Sequence, residues 1–300
     1  MSSSKISAQN RQRSHNVRFW RVWRDRLFVF GFVMAIVVGI LGLAALLFDV
    51  LIDGLPFLNL NFLSSYASRH PLESGILAPL AGTIWIVGLT ALLTIPIGVG
   101  TAIYLEEFAS KNRLNRLVEL NIANLAGVPS VIYGLLGLAV FVQFLFNGSR
   151  NVTAGALTMT LLVLPIVVIA SQEAIKAVPS SYRDAAFAMG ANRWQVVKTV
   201  VLPQALPGMM SGIILALSRA IGESAPILII SSLVWVTFVP VSPDSKFTVL
   251  PLQIFNWISQ PQHEFRGIAA AAIIVLLAVL LSMNGVAIWI RSKYQVRPEQ

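Results

Sequence analysis

Residues 184–203 read DAAFAMGANRWQVVKTVVLP and form a polar, helix-forming insert between long apolar segments. Two membrane-spanning helices need only a few residues to turn around, so an insert of this length serves another purpose. Gly190 lies near its middle, and Leu202-Pro203 are its last two residues. The pattern favours an amphipathic cytoplasmic loop that a soluble partner protein grips, and hence a transport subunit driven by another chain.

The composition fixes the class of protein. Of the 300 residues, 56% are hydrophobic and 12% are charged. A soluble domain carries about 25% charged residues, so the chain is predicted to be an integral membrane protein. It contains no cysteine, which excludes disulfides and thiolate metal sites.

The hydrophobic pattern predicts an all-α integral membrane protein with six transmembrane helices. Each apolar span reaches the roughly 20 residues that a helix needs to cross a bilayer. The spans cover about 27–51, 76–105, 118–146, 152–171, 208–238 and 267–290. The domains expected are a basic N-terminal tail (1–26), a six-helix transmembrane domain (27–290) with its polar insert at about 172–207, and a short tail (291–300).

The distribution of positive charge predicts the orientation. With the loops assigned alternately, one side of the membrane holds 17 Lys and Arg residues and the other side holds four, while Arg219 lies within the membrane. Basic loops stay on the inner side, so both termini are expected in the cytoplasm of a multi-pass inner (plasma) membrane protein. The net charge of +9 is therefore explained by basic residues that stay on the inner side of the membrane and contact membrane lipid. No nucleic-acid partner is expected. The first apolar run exceeds the core of a cleaved signal peptide and reads as a membrane helix.

No soluble domain is visible outside the spans. The longest external segments, about 52–75 and 239–265, are too short for a core of their own, and part of the second is expected to lie on the membrane surface. Prolines recur within the spans and bend or break helices. A single one is an ordinary kink, but together they favour a bundle that moves: Pro79, Pro96, Pro129, Pro165 and Pro226.

The polar insert is predicted to be a helix–glycine–helix elbow. Ser181 followed by Asp184 fits a capping-box start and predicts a short helix over 182–189. Gly190 stops this helix, because glycine adopts positive φ without penalty. Asn192 with Gln195 starts a second helix that runs to about residue 201.

Two further features of the insert are predicted. Pro203 and Pro207 are expected to end the second helix before the fifth span. The first helix should present a cluster of side chains outward to a partner, namely Tyr182, Asp184, Ala185 and Phe187. The alternative from the residues alone is an amphipathic hairpin that rests on lipid.

The fifth span, read as one helix over 208–226, carries a stripe of small and charged residues. This stripe is expected to face protein or water, and consists of Gly208, Ser211, Gly212, Leu215, Ser218, Arg219, Gly222, Glu223 and Pro226. A charge at the centre of a membrane helix costs at least about 2.5–3.5 kcal/mol on insertion scales. Arg219 and Glu223 therefore form either a neutralised pair that aids insertion or part of a transport path or gate. Because Glu after Arg is the weaker order for an i,i+4 pair, stability alone is a poor reason for it.

The insert resembles the EAA loop of ABC-importer permeases. That motif reads Glu-Ala-Ala-x3-Gly-x9-Ile-x-Leu-Pro, and this chain has Asp184 for the Glu and Val200 for the Ile. The resemblance implies the type I ABC-importer permease architecture, with the loop docking into a cleft on an ATPase subunit. The residues it assigns to ATPase coupling are Tyr182, Asp184, Ala185, Ala186, Phe187, Gly190, Leu202 and Pro203.

Residues 218–228, SRAIGESAPIL, resemble the Arg-Ala-Ile-Gly-Glu-Thr-Ala-Pro segment of phosphate permeases of the PstA type. Residues 104–109, YLEEFA, also resemble that family, and the likeness extends over about 76–290. Ser224 replaces the usual Thr and keeps the hydroxyl group. The resemblance implies that the substrate pathway or gate contains Arg219, Glu223, Ser218 and Ser224.

The resemblance implies a half-pore for importing phosphate, with no catalytic residue and no metal. Its partners would be a PstC-type permease subunit forming a heterodimer, a PstB-type ATPase dimer, and an external phosphate-binding protein. The chain is expected to hold no cofactor: it lacks the Gly-x4-Gly-Lys-Ser/Thr phosphate loop, so ATP and Mg belong to the partner ATPase.

Three rival functions are weighed. A permease for sulfate, molybdate or tungstate is the strongest, because the external binding protein chooses the anion. A secondary transporter would need carboxylates in several spans, where only Glu223 is available. An intramembrane enzyme is disfavoured, because all three histidines lie outside the spans.

Overall fold

The computed structural model describes residues 3–110, 112–231 and 236–294, with side chains described from residue 23 to residue 293 of these ranges. Secondary structure in the described residues is helical throughout. The helices are α1 (Ser3–Gly54), α2 (Leu60–Ser64), α3 (Leu77–Ile103), α4 (Arg113–Ala126), α5 (Ser130–Gly137), α6 (Val152–Lys176), α7 (Ser180–Ala188), α8 (Arg193–Val196), α9 (Leu202–Gly222), α10 (Ala225–Ser231), α11 (Leu250–Ile258) and α12 (Glu264–Tyr294). Three π-helical turns extend α3, α5 and α8, over Tyr104–Phe108, Leu138–Leu145 and Val197–Val201.

The chain divides after Ile52 into two compact units. The first contains most of α1, whose segment from residue 23 is long and apolar enough to span a membrane. The second contains all the other helices. The boundaries of the two tails and their position in the cytoplasm stay predictions, and residues 295–300 of the C-terminal tail lie outside the described residues.

Five described helices are long and apolar enough to cross a membrane, and a bent pair supplies the sixth span. The first, second, fourth and sixth predicted spans fall within these helices. They are 23–57, 77–108, 152–176 and 264–293. The third and fifth predicted spans differ from the structure, because each is broken.

The third span is two helices instead of one. α4 and α5 meet at an angle of 104°. Pro129 disfavours a helical conformation at Val128 and has no N–H to donate, so the helix ends and a new one begins. The hydroxyl of Tyr133 donates to the carbonyl of Leu125 at 2.7 Å, which satisfies one acceptor at the broken end.

The fifth span breaks at Glu223. Its backbone is extended, with φ −82° and ψ 110°, between the end of α9 and the start of α10. Pro226 lacks the N–H that would bond to the carbonyl of Gly222, so the α-helix stops there. The prediction of one helix over 208–226 is therefore wrong beyond Gly222, and residues 232–235 of that span lie outside the described residues.

The prolines at the start of α9 do not end a helix. Helix continues from Arg193 to Gly222 over 30 residues, so the stop predicted at Pro203 and Pro207 is wrong. A π-helical turn, Val197–Val201, lies directly before Pro203. In this wider turn the backbone bonds follow the π-helical pattern instead of the α-helical one, so the helix can accommodate prolines, which have no N–H to donate.

Helix α6 lies at the centre of the second unit. Its most apolar window is 67% buried within the chain. α9 crosses it at small residues, where Gly212 contacts the methyl group of Ala170 and Gly208 lies next to Ala174. A larger residue at position 212 would separate the two helices, so glycine permits this close approach.

Part of the segment 236–258 packs into the helices, and the expectation that part of 239–265 lies on the membrane surface stays a prediction. Phe247, Leu250 and Trp257 are almost completely buried. The N–H of Leu250 donates to Oγ1 of Thr83 at 2.9 Å, and this bond ties the segment to α3. The segment therefore contributes apolar residues to the core, while Phe255 and Ile258 stay exposed at 52% and 53%.

Candidate coupling loop and substrate pathway

The first elbow helix, α7, begins one residue before Ser181. Pro179 is its N-cap residue, and no side chain caps this end. The capping box predicted for Ser181 and Asp184 is therefore wrong. Because Pro179 is followed directly by helical backbone at Ser180, Ser181 lies inside the first turn, where its side chain is not in the N-cap position.

The turn of the elbow forms as predicted. Gly190 has φ +85°, a conformation that side chains with a Cβ rarely adopt. Asn192 then caps α8: its Oδ1 accepts from the N–H of Gln195 at 2.9 Å, and its own N–H donates to Oε1 of Gln195 at 2.8 Å. Both halves of the predicted capping box are present. These local signals fix the direction in which the second helix leaves the turn.

The elbow exposes the predicted cluster of side chains. Tyr182 is 53% exposed and Phe187 is 45% exposed, and Asp184, Ala185 and Pro203 are exposed as well. Ala186 and Leu202, by contrast, pack against the buried residues beneath the elbow, which include Ile175, Val178, Val196, Val201 and Ala205. The coupling-loop residues therefore divide into an outward surface and an inward support.

Two exposed side chains enlarge the outward surface beyond the predicted cluster. Met189 is 88% exposed and Trp194 is 58% exposed. The ring of Trp194 lies 6.4 Å from that of Phe108, centroid to centroid. Exposed apolar residues next to a carboxylate are typical of a protein-binding surface.

Arg183, which the sequence reasoning missed, anchors the elbow. Its guanidinium donates from Nη2 and Nε to Oε1 of Glu107, at 2.8 and 3.1 Å. It also donates to the carbonyls of Val178 at 2.6 Å and Ile175 at 3.0 Å. One side chain thus joins α7 to the end of α3 and to the last turn of α6. The available signal was the pair of glutamates in YLEEFA together with the two arginines of the insert, Arg183 and Arg193.

The neighbouring Glu106 makes a separate link. Its Oε1 accepts from Nε2 of Gln172 at 2.9 Å and lies 3.4 Å from Nζ of Lys176. Lys176 also pairs with Glu173 at 3.1 Å. Adjacent carboxylates therefore have different partners: Glu106 joins α3 to α6, and Glu107 joins α3 to α7.

The predicted pathway residues lie at the break in the fifth span. Nε of Arg219 is 3.8 Å from Oε2 of Glu223, and the two side chains are 49% and 19% exposed. Ser224 is exposed next to this pair, and Ser218 is half-buried one residue before it. The four polar side chains thus lie within seven consecutive residues around the break, 218–224.

Asn284 of α12 joins this group and was missed from the sequence. Its Oδ1 lies 2.7 Å from the hydroxyl of Ser218, which also donates to the carbonyl of Ile214. Asn284 and Ser282 are polar exceptions within the sixth apolar span, and this was the available signal. Buried amide and hydroxyl groups hold neighbouring membrane helices together.

The polar stripe of α9 is only partly open. Leu215 is 69% exposed, and Arg219 and Gly222 are also exposed, whereas Gly208 and Gly212 face α6. The opposite side of the helix is packed within the chain, at Met209, Ile213, Leu217, Ala220 and Ile221. The expectation that the stripe faces protein or water is met at Gly208 and Gly212, which pack against α6, and stays a prediction for the exposed residues.

Comparison with known proteins is consistent with this geometry. Residues 94–295 match the family described as binding-protein-dependent transport system inner membrane component. The probable ABC transporter permease protein YqgI of Bacillus subtilis is 32% identical over 274 residues, which is 87% of this chain and 92% of YqgI. The phosphate transport system permease protein PstA 1 of Mycobacterium tuberculosis is 34% identical, over 72% of this chain and 70% of that protein. PstA of Haemophilus influenzae is 28% identical, over 90% of this chain and 95% of that protein.

Solved structures support the fold alone. A bacterial alginate ABC transporter, determined with an alginate-bound periplasmic protein, contains a chain that aligns with a TM-score of 0.66 and 16% identity, over 88% of this chain and 93% of that chain. The inward-facing MetNI methionine ABC transporter aligns with a TM-score of 0.60 and 17% identity, over 72% and 94%. The helical arrangement is that of type I ABC-importer permeases.

Proposed function

Because the chain belongs to the family of binding-protein-dependent transport system inner membrane components, we propose that it is the PstA-type permease subunit of an importer of inorganic phosphate. Membership of the family makes the chain a multi-pass permease subunit of an ABC importer, and the proposal adds the substrate. Such a subunit works with a second permease, an ATPase and a substrate-binding protein. Here these partners are a PstC-type permease, a PstB-type ATPase dimer that carries ATP and Mg, and an external phosphate-binding protein.

The observation that carries phosphate as substrate is Arg219 at the break of the fifth span. A half-exposed guanidinium stands there with three polar neighbours, Ser218, Glu223 and Ser224. Guanidinium stays charged at every physiological pH and binds phosphate oxygens in pairs. PstA proteins of several bacteria are also among the relatives, at 25–34% identity.

Arg219 holds the anion in transit and Glu223 receives Arg219 when the anion leaves. Their separation of 3.8 Å is at the long limit of an ion pair, so the guanidinium remains available to a ligand. A permanent short pair would neutralise the charge that a phosphate needs. Because α9 ends at Gly222, the pair does not stabilise a helical turn, and this exchange gives it a function.

The elbow is the surface on which the ATPase docks. It exposes Tyr182, Asp184, Ala185 and Phe187 together, next to Met189. In the orientation that the charge bias predicts, with both termini in the cytoplasm, this surface faces the compartment that contains ATP. A hairpin resting on lipid would place its apolar side chains in the bilayer and would not need Asp184 among them.

Transport of another oxyanion is the second candidate, because a guanidinium also binds sulfate and molybdate. Phosphate uptake into proteoliposomes that contain the whole complex and its binding protein tests the choice. Phosphate uptake that unlabelled sulfate, molybdate and tungstate leave unchanged supports the proposal. Uptake of one of these anions, with none of phosphate, would keep the fold and the ATPase coupling and replace the substrate.

A further inference from the structure

We propose that Arg183 and Glu107 form a strut, meaning the ion pair between these two side chains, that passes movement of α7 to the membrane helix α3. This inference rests on the proposed function, in which the ATPase moves α7. Arg183 and Glu107 are positioning residues: neither is assigned to the exposed docking cluster or to the substrate pathway.

The attachment of α7 to the membrane helices depends heavily on Arg183. None of the residues of α7 is buried. Ala186 supplies a partly buried methyl group to the core beneath the elbow. Arg183 supplies four hydrogen bonds, two to Glu107 and one each to the carbonyls of Ile175 and Val178. A rigid guanidinium fork can bind all of these acceptors at once, which a lysine ammonium cannot do in the same plane.

The strut is shielded from solvent, unlike an ordinary surface ion pair. The side chains of Arg183 and Glu107 are 19% and 11% exposed. Salt screens partly buried pairs much less than exposed ones, so their attraction persists in the cytoplasm. The neighbouring Lys176, by comparison, is 51% exposed in its pair with Glu106.

Glu106 and Glu107 provide a matched pair for an experiment. Glu106 links α3 to α6 through Gln172 and Lys176, and its described contacts do not include α7. Glu107 links α3 to Arg183 on α7. Replacing Glu107 leaves Arg183 free to keep its two bonds to the carbonyls of Ile175 and Val178, so α7 should remain folded while its connection to α3 weakens.

The test compares Glu107→Gln with Glu106→Gln in the complete complex reconstituted in liposomes. Phosphate uptake, ATP hydrolysis and the amount of co-purified ATPase subunit are measured for each. Coupling between two sites is typically a 5–150-fold effect, so Glu107→Gln should lower phosphate moved per ATP by at least about fivefold. The ATPase subunit should stay bound. Glu107→Asp, which keeps the charge, should recover part of the ratio, and Glu106→Gln should keep most of it.

Two results overturn the strut. One is an unchanged ratio of phosphate to ATP in Glu107→Gln. The other is loss of the ATPase subunit from that variant, because the pair would then only maintain the docking surface.

Failure of the proposed function is a separate result, in which the wild-type complex hydrolyses ATP without moving phosphate. A second measurement tests the strut in that case too. The chain has no cysteine, so Leu92→Cys, at an exposed position of α3, gives a single site in this chain for maleimide labelling. The strut predicts that ATP changes the labelling rate of the single-cysteine chain and of the same chain with Glu106→Gln. It predicts no change when the single-cysteine chain carries Glu107→Gln. An equal change in all three contradicts it.

Discussion

Nη2 of Arg183 lies 2.8 Å from Oε1 of Glu107, although 76 positions separate the two residues along the chain. This contact brings the polar insert onto the end of the second membrane span. It also explains why the insert holds a defined position although α7 has no buried residue. The proposed function needs such a connection, because it places ATP hydrolysis on another subunit and the substrate pathway in the membrane helices.

Gly190→Ala should weaken the elbow. Gly190 has φ +85°, and a residue with a Cβ pays about 1–2 kcal/mol to adopt this conformation. The turn should open and the docking cluster should move, so ATP-driven uptake should fall. Gly190→Asn should be milder, because asparagine tolerates left-handed backbone. The measurement is uptake by the reconstituted complex.

Gly88→Ala is the matched control for the glycine substitution. Gly88 lies within α3 with helical backbone, and a Cβ added there would meet nothing within 4 Å. It should therefore tolerate alanine. Equal loss of uptake in both variants would show that the positive φ of Gly190 is not the reason for its effect.

Asn192→Ala should destabilise the start of the second elbow helix. The substitution removes the side-chain half of the capping box, which typically contributes about 1 kcal/mol. We expect a lower thermal midpoint for the detergent-purified complex and faster proteolysis within residues 190–196. Asn192→Ser keeps a capping oxygen and should restore most of the stability. Identical behaviour of the alanine and serine variants would contradict the capping role.

Arg219→Gln should abolish phosphate uptake while the complex still assembles. The variant keeps a polar side chain of similar length but loses the charge that attracts the anion. We expect uptake to fall by at least about tenfold, a factor that corresponds to about 1.4 kcal/mol. Arg266→Gln, at an exposed position outside the pathway, is the control. Normal uptake by Arg219→Gln would remove this residue from the pathway.

Ser218→Ala and Asn284→Ala should be energetically coupled. The Ser218 hydroxyl lies 2.7 Å from Asn284, and hydrogen bonds between membrane helices contribute about 0.6 kcal/mol on average. The double variant should therefore be destabilised by less than the sum of the single variants, measured by unfolding in a denaturing detergent. Strict additivity would show that α9 and α12 do not meet through this pair.

Local signals were readable from the sequence and distant contacts were not. Gly190 and the Asn192–Gln195 capping box act over three or four residues, and the structure contains both as predicted. Arg183 was missed because its partner Glu107 lies on another helix and no spacing rule connects them. Asn284 was missed because its partner Ser218 also lies on another helix, 66 positions away along the chain.

The prolines had different outcomes that the sequence does not distinguish. Pro129 lies at a break of 104° between two helices, and Pro226 follows the break at Glu223. Pro96, Pro165 and Pro207 are inside continuous helices. Whether a helix continues depends on whether neighbouring elements satisfy the carbonyl that a proline leaves free, and this is a property of the packed bundle.

The most direct test of the central claim, a permease driven through its elbow by a partner ATPase, is ATP-dependent phosphate uptake by the complex with Asp184→Lys. Asp184 is exposed on α7, so the charge reversal should leave the fold intact and disrupt docking. Glu119→Lys makes the same change of charge at an exposed position of α4. The account predicts that Asp184→Lys loses uptake while the chain remains inserted, and that Glu119→Lys retains it. Full ATP-dependent uptake with Asp184→Lys would contradict the assignment of the elbow as the coupling element.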